Sequence, residues 1–235
     1  MQNIRFELSA LSKLVLGYEL LIMKIGSDEW SKVIVDGARA FDLEIDRHHT
    51  DRFAAHAKEL LHWNHTINLT TITDPFEVAV KHFVDSLAPV KLISPGATLL
   101  DIGSGSGFPG IPLKVIMPSL AVTLIDASRK RVNFLKHVIR TLRLDGIEAL
   151  HIRAEDLADD PAYLKHFDTI TSRALTDLKA FIRQARPLLA ANGQMIALKG
   201  LVDQAELEAV RSNILAVETY LLPFTQSKRS IFQIQ

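Results

Sequence analysis

A glycine-rich turn constrains the fold of this chain more than any other feature of its sequence. The apolar run 98–102 carries Asp101 near its end, and Gly103, Gly105 and Gly107 alternate with serines directly after it. Glycines let a backbone turn sharply and approach a ligand closely. Open α/β sheets bind ligands at the carboxyl ends of their strands. The segment therefore predicts a ligand-binding loop after a first parallel strand.

Short β-rich runs alternate with helical runs after this turn. The pattern predicts strands at residues 98–102, 122–125, 149–152, 168–171 and 195–198, and two closing strands at 216–222 and 231–234. Helices are predicted near residues 111–117, 129–144, 178–189 and 204–212. Such alternation with short links is typical of a mostly parallel sheet covered on both faces. We expect a Rossmann-like α/β fold with seven strands.

The first 94 residues show helical periodicity instead. Apolar residues at helical spacing predict an amphipathic helix over residues 11–25 and a second one around residues 53–61. A third pattern runs over residues 75–92, where Pro75 suits a first helical turn and Asp74 its N-cap. Ser94-Pro95-Gly96 then marks a boundary. We expect an N-terminal helical region, residues 1–94, and a ligand-binding domain, residues 95–235.

Composition excludes several classes of protein. The chain has no cysteine, which excludes disulfides, cysteine zinc sites and thiolate nucleophiles. Its 27 basic and 27 acidic side chains sum to zero, which argues against bulk electrostatic binding of nucleic acid but leaves room for a local basic patch. Residues 11–25 are too short and too charged to span a bilayer, and no export signal is visible. We expect a cytoplasmic protein without a metal or membrane site, and a monomer.

Two cofactors compete for the glycine loop. In dinucleotide-binding loops the third glycine comes one residue later, and the Asp101 carboxylate would sit unfavourably beside a pyrophosphate. Pro109 also lacks an N–H that a phosphate would use. A cationic ligand such as S-adenosylmethionine fits this loop better.

Acidic residues follow the next two predicted strands. Asp126 lies 23 residues after Gly103, where a carboxylate can accept both ribose hydroxyls of a nucleoside. Ala154 and Glu155 follow the third strand, where an adenine ring could lie. Each feature also has a structural interpretation, since Asp126 could cap the helix that follows. Their order on three successive strands favours nucleoside binding.

The residues after the fourth strand bear on the methyl acceptor. Methylation of pyrimidine carbon-5 needs a cysteine nucleophile, and the chain has none. Exocyclic amines are usually handled by an Asp/Asn-Pro-Pro-aromatic loop, whereas residues 168–174 contain neither proline nor an aromatic ring. A ring nitrogen with a free lone pair, such as guanine N7, needs only proximity and orientation. Arg173 would face cofactor and substrate there, or could be a surface arginine.

Residues 129–143 contain six basic side chains and no acid. On a helix, Arg129, Lys136, Arg140 and Arg143 line one flank of the apolar stripe. We call these four side chains the basic ridge. A cationic ridge beside a cofactor site suits contact with an RNA backbone, and the alternative is a solvated helix face.

Longer motifs identify a family. The chain resembles the RsmG (GidB) methyltransferases over about residues 48–235. The resemblance rests on the run Trp63-Asn64-His65-Thr66-Ile67-Asn68-Leu69-Thr70, on Lys81-His82-Phe83-Val84-Asp85-Ser86, on the glycine loop with Phe108-Pro109-Gly110, and on Asp126-Ala127-Ser128, Lys130-Arg131, Ser172-Arg173-Ala174 and Ala197-Leu198-Lys199-Gly200.

The resemblance implies a class I S-adenosylmethionine-dependent fold and methylation of guanine N7 in the decoding region (530 loop) of bacterial 16S rRNA. It implies cofactor contacts by Gly103, Phe108, Asp126, Ala154, Glu155 and Arg173, which add to Asp101, Gly105 and Gly107 of the loop. It also places Asn68, His82, Asp85 and Lys199 near the cleft, and we expect Arg173, His82, Asn68 and Lys199 to act in catalysis. The residues alone would allow His82 to be a core histidine and Asn68 a helix stop.

About 40 residues precede the usual start of this family and could be a packing helix, a partner surface or the product of an upstream start codon. The C-terminal end is also shorter than usual. Three rivals stay open: a methyltransferase of the same fold for small molecules or proteins, a non-enzymatic binding module, and a dehydrogenase. The expected partner is 16S rRNA or the 30S ribosomal particle.

Overall fold

The structure is a computed structural model that describes residues 23–173, 177–200, 202 and 204–235. The helix predicted over residues 11–25 lies outside the described residues except for its last three positions.

The described N-terminal region is helical, as predicted. Helix α1, Asp28–Arg39, begins at Ser27, whose hydroxyl caps the Trp30 N–H, and it was not among the predicted helices. Helix α2, Arg47–Ile67, contains the predicted stripe around residue 57 and begins with a capping box at Asp46. Helix α3 covers residues 75–87, with a π-helical stretch at Val78–Val84 between two α-helical turns. Its N-cap is Asp74, as expected. A 3₁₀ turn, Val90–Leu92, completes the region.

Seven strands form one sheet, in the order β3-β2-β1-β4-β5-β7-β6. Their bounds are Thr98–Ile102 (β1), Ala121–Asp126 (β2), Ile147–His151 (β3), Phe167–Arg173 (β4), Leu189–Lys199 (β5), Ile214–Leu221 (β6) and Lys228–Ile234 (β7). The first five strands are parallel, and β7 runs antiparallel between β5 and β6. The predicted seven-stranded, mostly parallel sheet is confirmed.

Five helices accompany the strands. They are Gly110–Ile116 (α4), Arg129–Thr141 (α5), Ala154–Leu157 (α6), Leu178–Ala185 (α7) and Gln204–Val210 (α8), with 3₁₀ turns at Arg186–Leu188 and Arg211–Asn213. The sequence placed the end of α5 at Leu144, three residues too late. The Arg143 and Leu144 N–H groups bond the Arg140 and Ile139 carbonyls, and Arg143 has a φ of 49°, so a left-handed stop replaces the last predicted turn.

The sheet is covered on both faces. One face packs against α1–α5, and buried Trp30, Phe53 and Phe83 join Leu99 and Ile111 in that core. The other face packs against α6–α8 around Phe167 and Phe181. The described part of the N-terminal extension is therefore a packing element. None of the helices in the described ranges is long and apolar enough to cross a membrane.

Candidate functional site

The glycine loop follows β1 and turns in a conformation that requires glycine. Gly103, Gly105 and Gly107 have φ values of 69°, 57° and 93°, in the left-handed region. A Cβ added at Gly103 would meet no atom of the described residues within 4 Å, whereas one at Gly107 would lie 2.5 Å from Ile111. The loop thus has an open side at Gly103 and a packed side at Gly107. The open side is a cradle in which a ligand can approach the backbone.

Asp126 ties the loop to the end of β2. Its carboxylate accepts hydrogen bonds from the Gly105 N–H at 3.0 Å and the Ser128 N–H at 2.8 Å, and Arg131 lies 3.5 Å away. The carboxylate is 5% exposed. The sequence also allowed Asp126 to cap the helix that follows, but the N-cap of α5 is Ser128, and Asp126 instead closes a turn before it, beside the open side of the loop.

Asp101 lies behind the loop and is fully buried. Its carboxylate accepts the Gly110 N–H at 3.1 Å and the Thr171 hydroxyl at 3.4 Å. Burial raises the pKa of this carboxyl to about 7. Asp101 thus anchors the start of α4, and a ligand on the open side would not touch it directly.

Phe108 couples the loop to the helical region. Its ring is 3% exposed and stacks with the His56 and His82 rings, with centroids 4.7 and 4.6 Å apart. The guanidinium of Arg173 lies 5.0 Å from the ring centroid. The Phe108 side chain is therefore enclosed by protein, and a cofactor contact at this position would fall to its backbone.

Arg173, at the end of β4, points into the contact between the loop and the helical region. We call the cluster formed there by Phe108, His82, Asp85 and Arg173 the junction. Its Nη1 donates to the Lys81 carbonyl at 2.9 Å and lies 3.8 Å from Asp85. Its Nη2 lies 3.4 Å from His82 Nδ1. Because a guanidinium can only donate, His82 accepts at Nδ1 and donates from Nε2 to Thr70 Oγ1, 3.0 Å away. Burial, with the positive charge of Arg173, lowers the pKa of His82 to about 3, so this ring is neutral at physiological pH.

Asp85 completes the junction with residues that the sequence did not single out. Its carboxylate accepts the Tyr220 hydroxyl of β6 at 3.0 Å and lies 3.4 Å from Arg229 of β7. Burial and the neighbouring Asp85 charge raise the pKa of Tyr220. These two residues come from strands far along the chain, so local sequence patterns gave no indication of their partner.

Three predicted site residues lie apart from this junction. Lys199 faces the opposite side of the sheet from Leu198, because neighbouring strand residues alternate, and it pairs there with Glu206 of α8. Glu155 is exposed at the start of α6 and accepts a hydrogen bond from Gln184 at 2.8 Å, beside buried Ala154. Asn68 is exposed and ends α2 with a φ of 20°. The bonds that shape this helix end come from Asn64, which accepts the Leu69 and Thr70 N–H groups.

The basic ridge lies on the outer face of α5. Arg129, Lys136 and Arg140 are exposed on the helix, and Arg143 is exposed just beyond its end. Val132, Leu135 and Leu142 are buried beneath them, as the periodicity predicted. Lys136, Arg140 and Arg143 also line a shallow surface groove between α5 and β3. Within the described ranges, no group of three or more acidic or histidine side chains could hold a metal ion.

A family model described as rRNA small subunit methyltransferase G matches residues 49–232. Among curated relatives, a ribosomal RNA small subunit methyltransferase G from Desulfitobacterium hafniense is 44% identical over 171 residues, which are 73% of this chain and 70% of the relative. One of the same name from a Geobacter species is 39% identical over 210 residues, 86% of this chain and 96% of the relative.

Solved structures share the fold at lower identity. A SAM-dependent methyltransferase from Aquifex aeolicus superposes with a TM-score of 0.53 at 18% identity, covering 72% of this chain and 97% of that one. A predicted O-methyltransferase from Agrobacterium tumefaciens gives a TM-score of 0.53 at 20% identity, covering 64% and 79%. These likenesses confirm the Rossmann-like methyltransferase fold.

Proposed function

The chain belongs to the family of rRNA small subunit methyltransferase G, and from this premise we propose that it transfers a methyl group from S-adenosylmethionine to N7 of a guanine in the 530 loop of 16S rRNA. The observation that carries the proposal is the open side of the glycine loop beside Asp126, in a chain whose family acts on small-subunit rRNA.

The residues at the open side fit S-adenosylmethionine. Gly103 leaves space for the ligand to approach the backbone, and the Asp126 carboxylate is the acceptor for ribose hydroxyls. Glu155, exposed after β3, and Ala154 are the proposed contacts of the nucleoside. Asp101, Gly105, Gly107 and Phe108 shape the loop from behind. When bound, this cofactor supplies an electrophilic methyl carbon on a sulfonium.

Guanine N7 is the acceptor that this site suits best. Its lone pair needs no base, so the protein has to orient the guanine and no group has to take a proton. His82 is neutral and already accepts at Nδ1, which fits a positioning role. We propose that Arg173 and His82 hold the contact between the glycine loop and the helical region. We also propose Asn68 and Lys199 as guanine contacts, on the family resemblance alone, because both lie apart from this contact.

The basic ridge supplies the proposed RNA contact. Three of its exposed cations lie on α5, which follows the cofactor-binding end of β2, and Arg143 lies just beyond the end of that helix, where phosphates of a bound rRNA could neutralise them. We propose that the protein acts as a monomer in the cytoplasm.

A transfer assay with radiolabelled S-adenosylmethionine tests the proposal. Purified protein is incubated with naked 16S rRNA, with 30S particles from a strain lacking the gene, and with a protein extract. We expect label in the RNA, at one guanine, with the RNA or particle substrate. Label in protein alone would favour a protein methyltransferase of the same fold. Failure to bind S-adenosylmethionine by calorimetry would reject the proposal.

A further inference from the structure

One histidine contacts the glycine loop from the side opposite the cradle. His56 lies on α2, and its side chain is completely buried. It belongs to none of the motifs that indicated the methyltransferase family.

The ring is attached to the loop backbone by one hydrogen bond. His56 Nε2 lies 2.8 Å from the Ser106 carbonyl oxygen. Because a carbonyl only accepts, the proton of the neutral ring is on Nε2 and Nδ1 carries a lone pair. Within the described residues, that Nδ1 has no hydrogen-bond partner, although it is buried. A buried acceptor without a partner is unfavourable, so the ring that bonds to Ser106 carries a cost to stability.

The same ring also packs on the loop. It stacks on Phe108 with an interplanar angle of 13°, and its other aromatic neighbours are Phe83 and Phe134, 5.6 and 6.1 Å away. The hydrogen bond and the stack fall on residues 106 and 108, on either side of Gly107. Gly107 has a φ of 93° and packs against Ile111. His56 thus holds both flanks of the strained turn.

We propose that His56 is a positioning residue for the cofactor loop, which sets the backbone of residues 103–107 for S-adenosylmethionine through its bond to the Ser106 carbonyl. The inference rests on the proposed function. His56, a residue of the helical region, would then support cofactor binding through the loop backbone without touching the cofactor itself. It also explains why a polar ring with an unpartnered atom occupies an aromatic cluster that phenylalanine could fill.

Two substitutions of matched length separate this role from packing. Glutamine and methionine have similar size and both lack the stacked ring, but only the glutamine amide can donate to the Ser106 carbonyl. We expect His56→Met to weaken S-adenosylmethionine binding about tenfold relative to His56→Gln, the size of effect that loss of one hydrogen bond can produce. His56→Met should nevertheless unfold at a higher temperature than His56→Gln, because methionine places no unpaired polar atom in an apolar site. A purely structural role would make affinity follow stability.

Calorimetry with S-adenosylmethionine and thermal unfolding of the full chain measure both quantities. His56→Phe keeps the ring and loses the donor, so it should bind as weakly as His56→Met and replaces it if that variant does not fold. Equal affinities for the glutamine and methionine variants would overturn the inference, as would wild-type affinity in His56→Phe. A wild-type chain that binds no S-adenosylmethionine would instead reject the proposed function, so the two failures are distinguishable.

Discussion

The two sides of the glycine loop differ in what they offer a ligand. On the open side, Gly103 faces space and the Asp126 carboxylate lies at the end of β2. On the packed side, Gly107 touches Ile111, and Phe108 is enclosed between two imidazole rings near Arg173. The comparison teaches that only some residues of one motif can contact a cofactor. The others set the shape of the loop from behind, and substitutions on the two sides should have different consequences.

The largest effect is expected on the packed side, at Arg173. Arg173→Ala removes one partner of the buried Asp85 carboxylate. Breaking a buried ion pair typically costs roughly 3–5 kcal/mol, and we expect the low end, about 3 kcal/mol, because Arg229 remains 3.4 Å from Asp85. Urea denaturation measures the free energy of unfolding. The exposed Arg129→Ala is the matched control and should change it by less than about 0.5 kcal/mol. If the two variants were equally stable, the junction would not be a structural element.

The two glycines test the comparison most directly. A Cβ at Gly107 would lie 2.5 Å from Ile111 and 3.2 Å from Leu135, both buried. With the added backbone strain, Gly107→Ala should lower the free energy of unfolding by about 2–3 kcal/mol.

Gly103→Ala carries only the backbone strain of its positive φ, about 1 kcal/mol. Its methyl group would occupy the cradle, so S-adenosylmethionine binding should fall more than stability. Calorimetry on both variants compares their affinities for S-adenosylmethionine, and urea denaturation compares their free energies of unfolding. Equal losses of stability would show that the loop has no packed side.

Asp126 should affect affinity while the fold is kept. Hydrogen bonds to a charged group contribute roughly 1.5–3 kcal/mol, so Asp126→Ala should weaken S-adenosylmethionine binding by at least about tenfold. Asp126→Asn is the control, because its amide oxygen can still accept the Gly105 N–H of the glycine loop, although it loses the acceptor of the Ser128 N–H. Calorimetry compares both with wild type. Unchanged affinity in Asp126→Ala would make Asp126 a turn-forming residue and not a ribose ligand.

Asp101 should make stability depend on pH. Its pKa rises from 3.8 to about 7 on folding, because the carboxyl is buried. Between these values the folded chain keeps a proton that the unfolded chain has released, so the contribution of Asp101 to stability is present below pH 4 and is lost as the pH rises towards 7.

Asp101→Asn removes this titration. The stability of the variant relative to wild type should therefore increase by at least about 1 kcal/mol between about pH 4.5 and pH 7.5. Urea denaturation of both proteins at the two pH values measures the change. A constant difference would indicate that the Asp101 carboxyl titrates normally.

Most of the sheet could be predicted from the sequence, whereas the junction could not. The strands, five to eleven residues long, were all located by their β-rich runs, and β1 matches its predicted bounds, although β5 begins six residues before its predicted start. Helix α1 was missed, although Ser27 and the acids of its first turn are typical of a helix start. The loop and Asp126 were found because they follow strands in order. No sequence pattern indicated the roles of Tyr220, Arg229 and His56. The partner of each lies at least 50 residues away along the chain, and only tertiary packing brings the partners together.

The smallest effect is expected on the outer face, at the basic ridge. Residues 1–94 carry 10 basic and 13 acidic side chains, and residues 95–235 carry 17 and 14, so the zero total conceals a small positive excess where the cofactor would bind.

Two alanine substitutions test the basic ridge. Lys136→Ala and Arg140→Ala should each weaken RNA binding a few-fold and reduce the slope of log affinity against log salt by about 1. Cofactor affinity should stay unchanged, because neither side chain is part of the loop or its supports. Filter binding of 16S rRNA at several salt concentrations measures the slope, with exposed Arg211→Ala as the control. A slope that falls equally in the control would mean that the contact is diffuse. A slope that falls only in the ridge variants would place the RNA along the exposed face of α5.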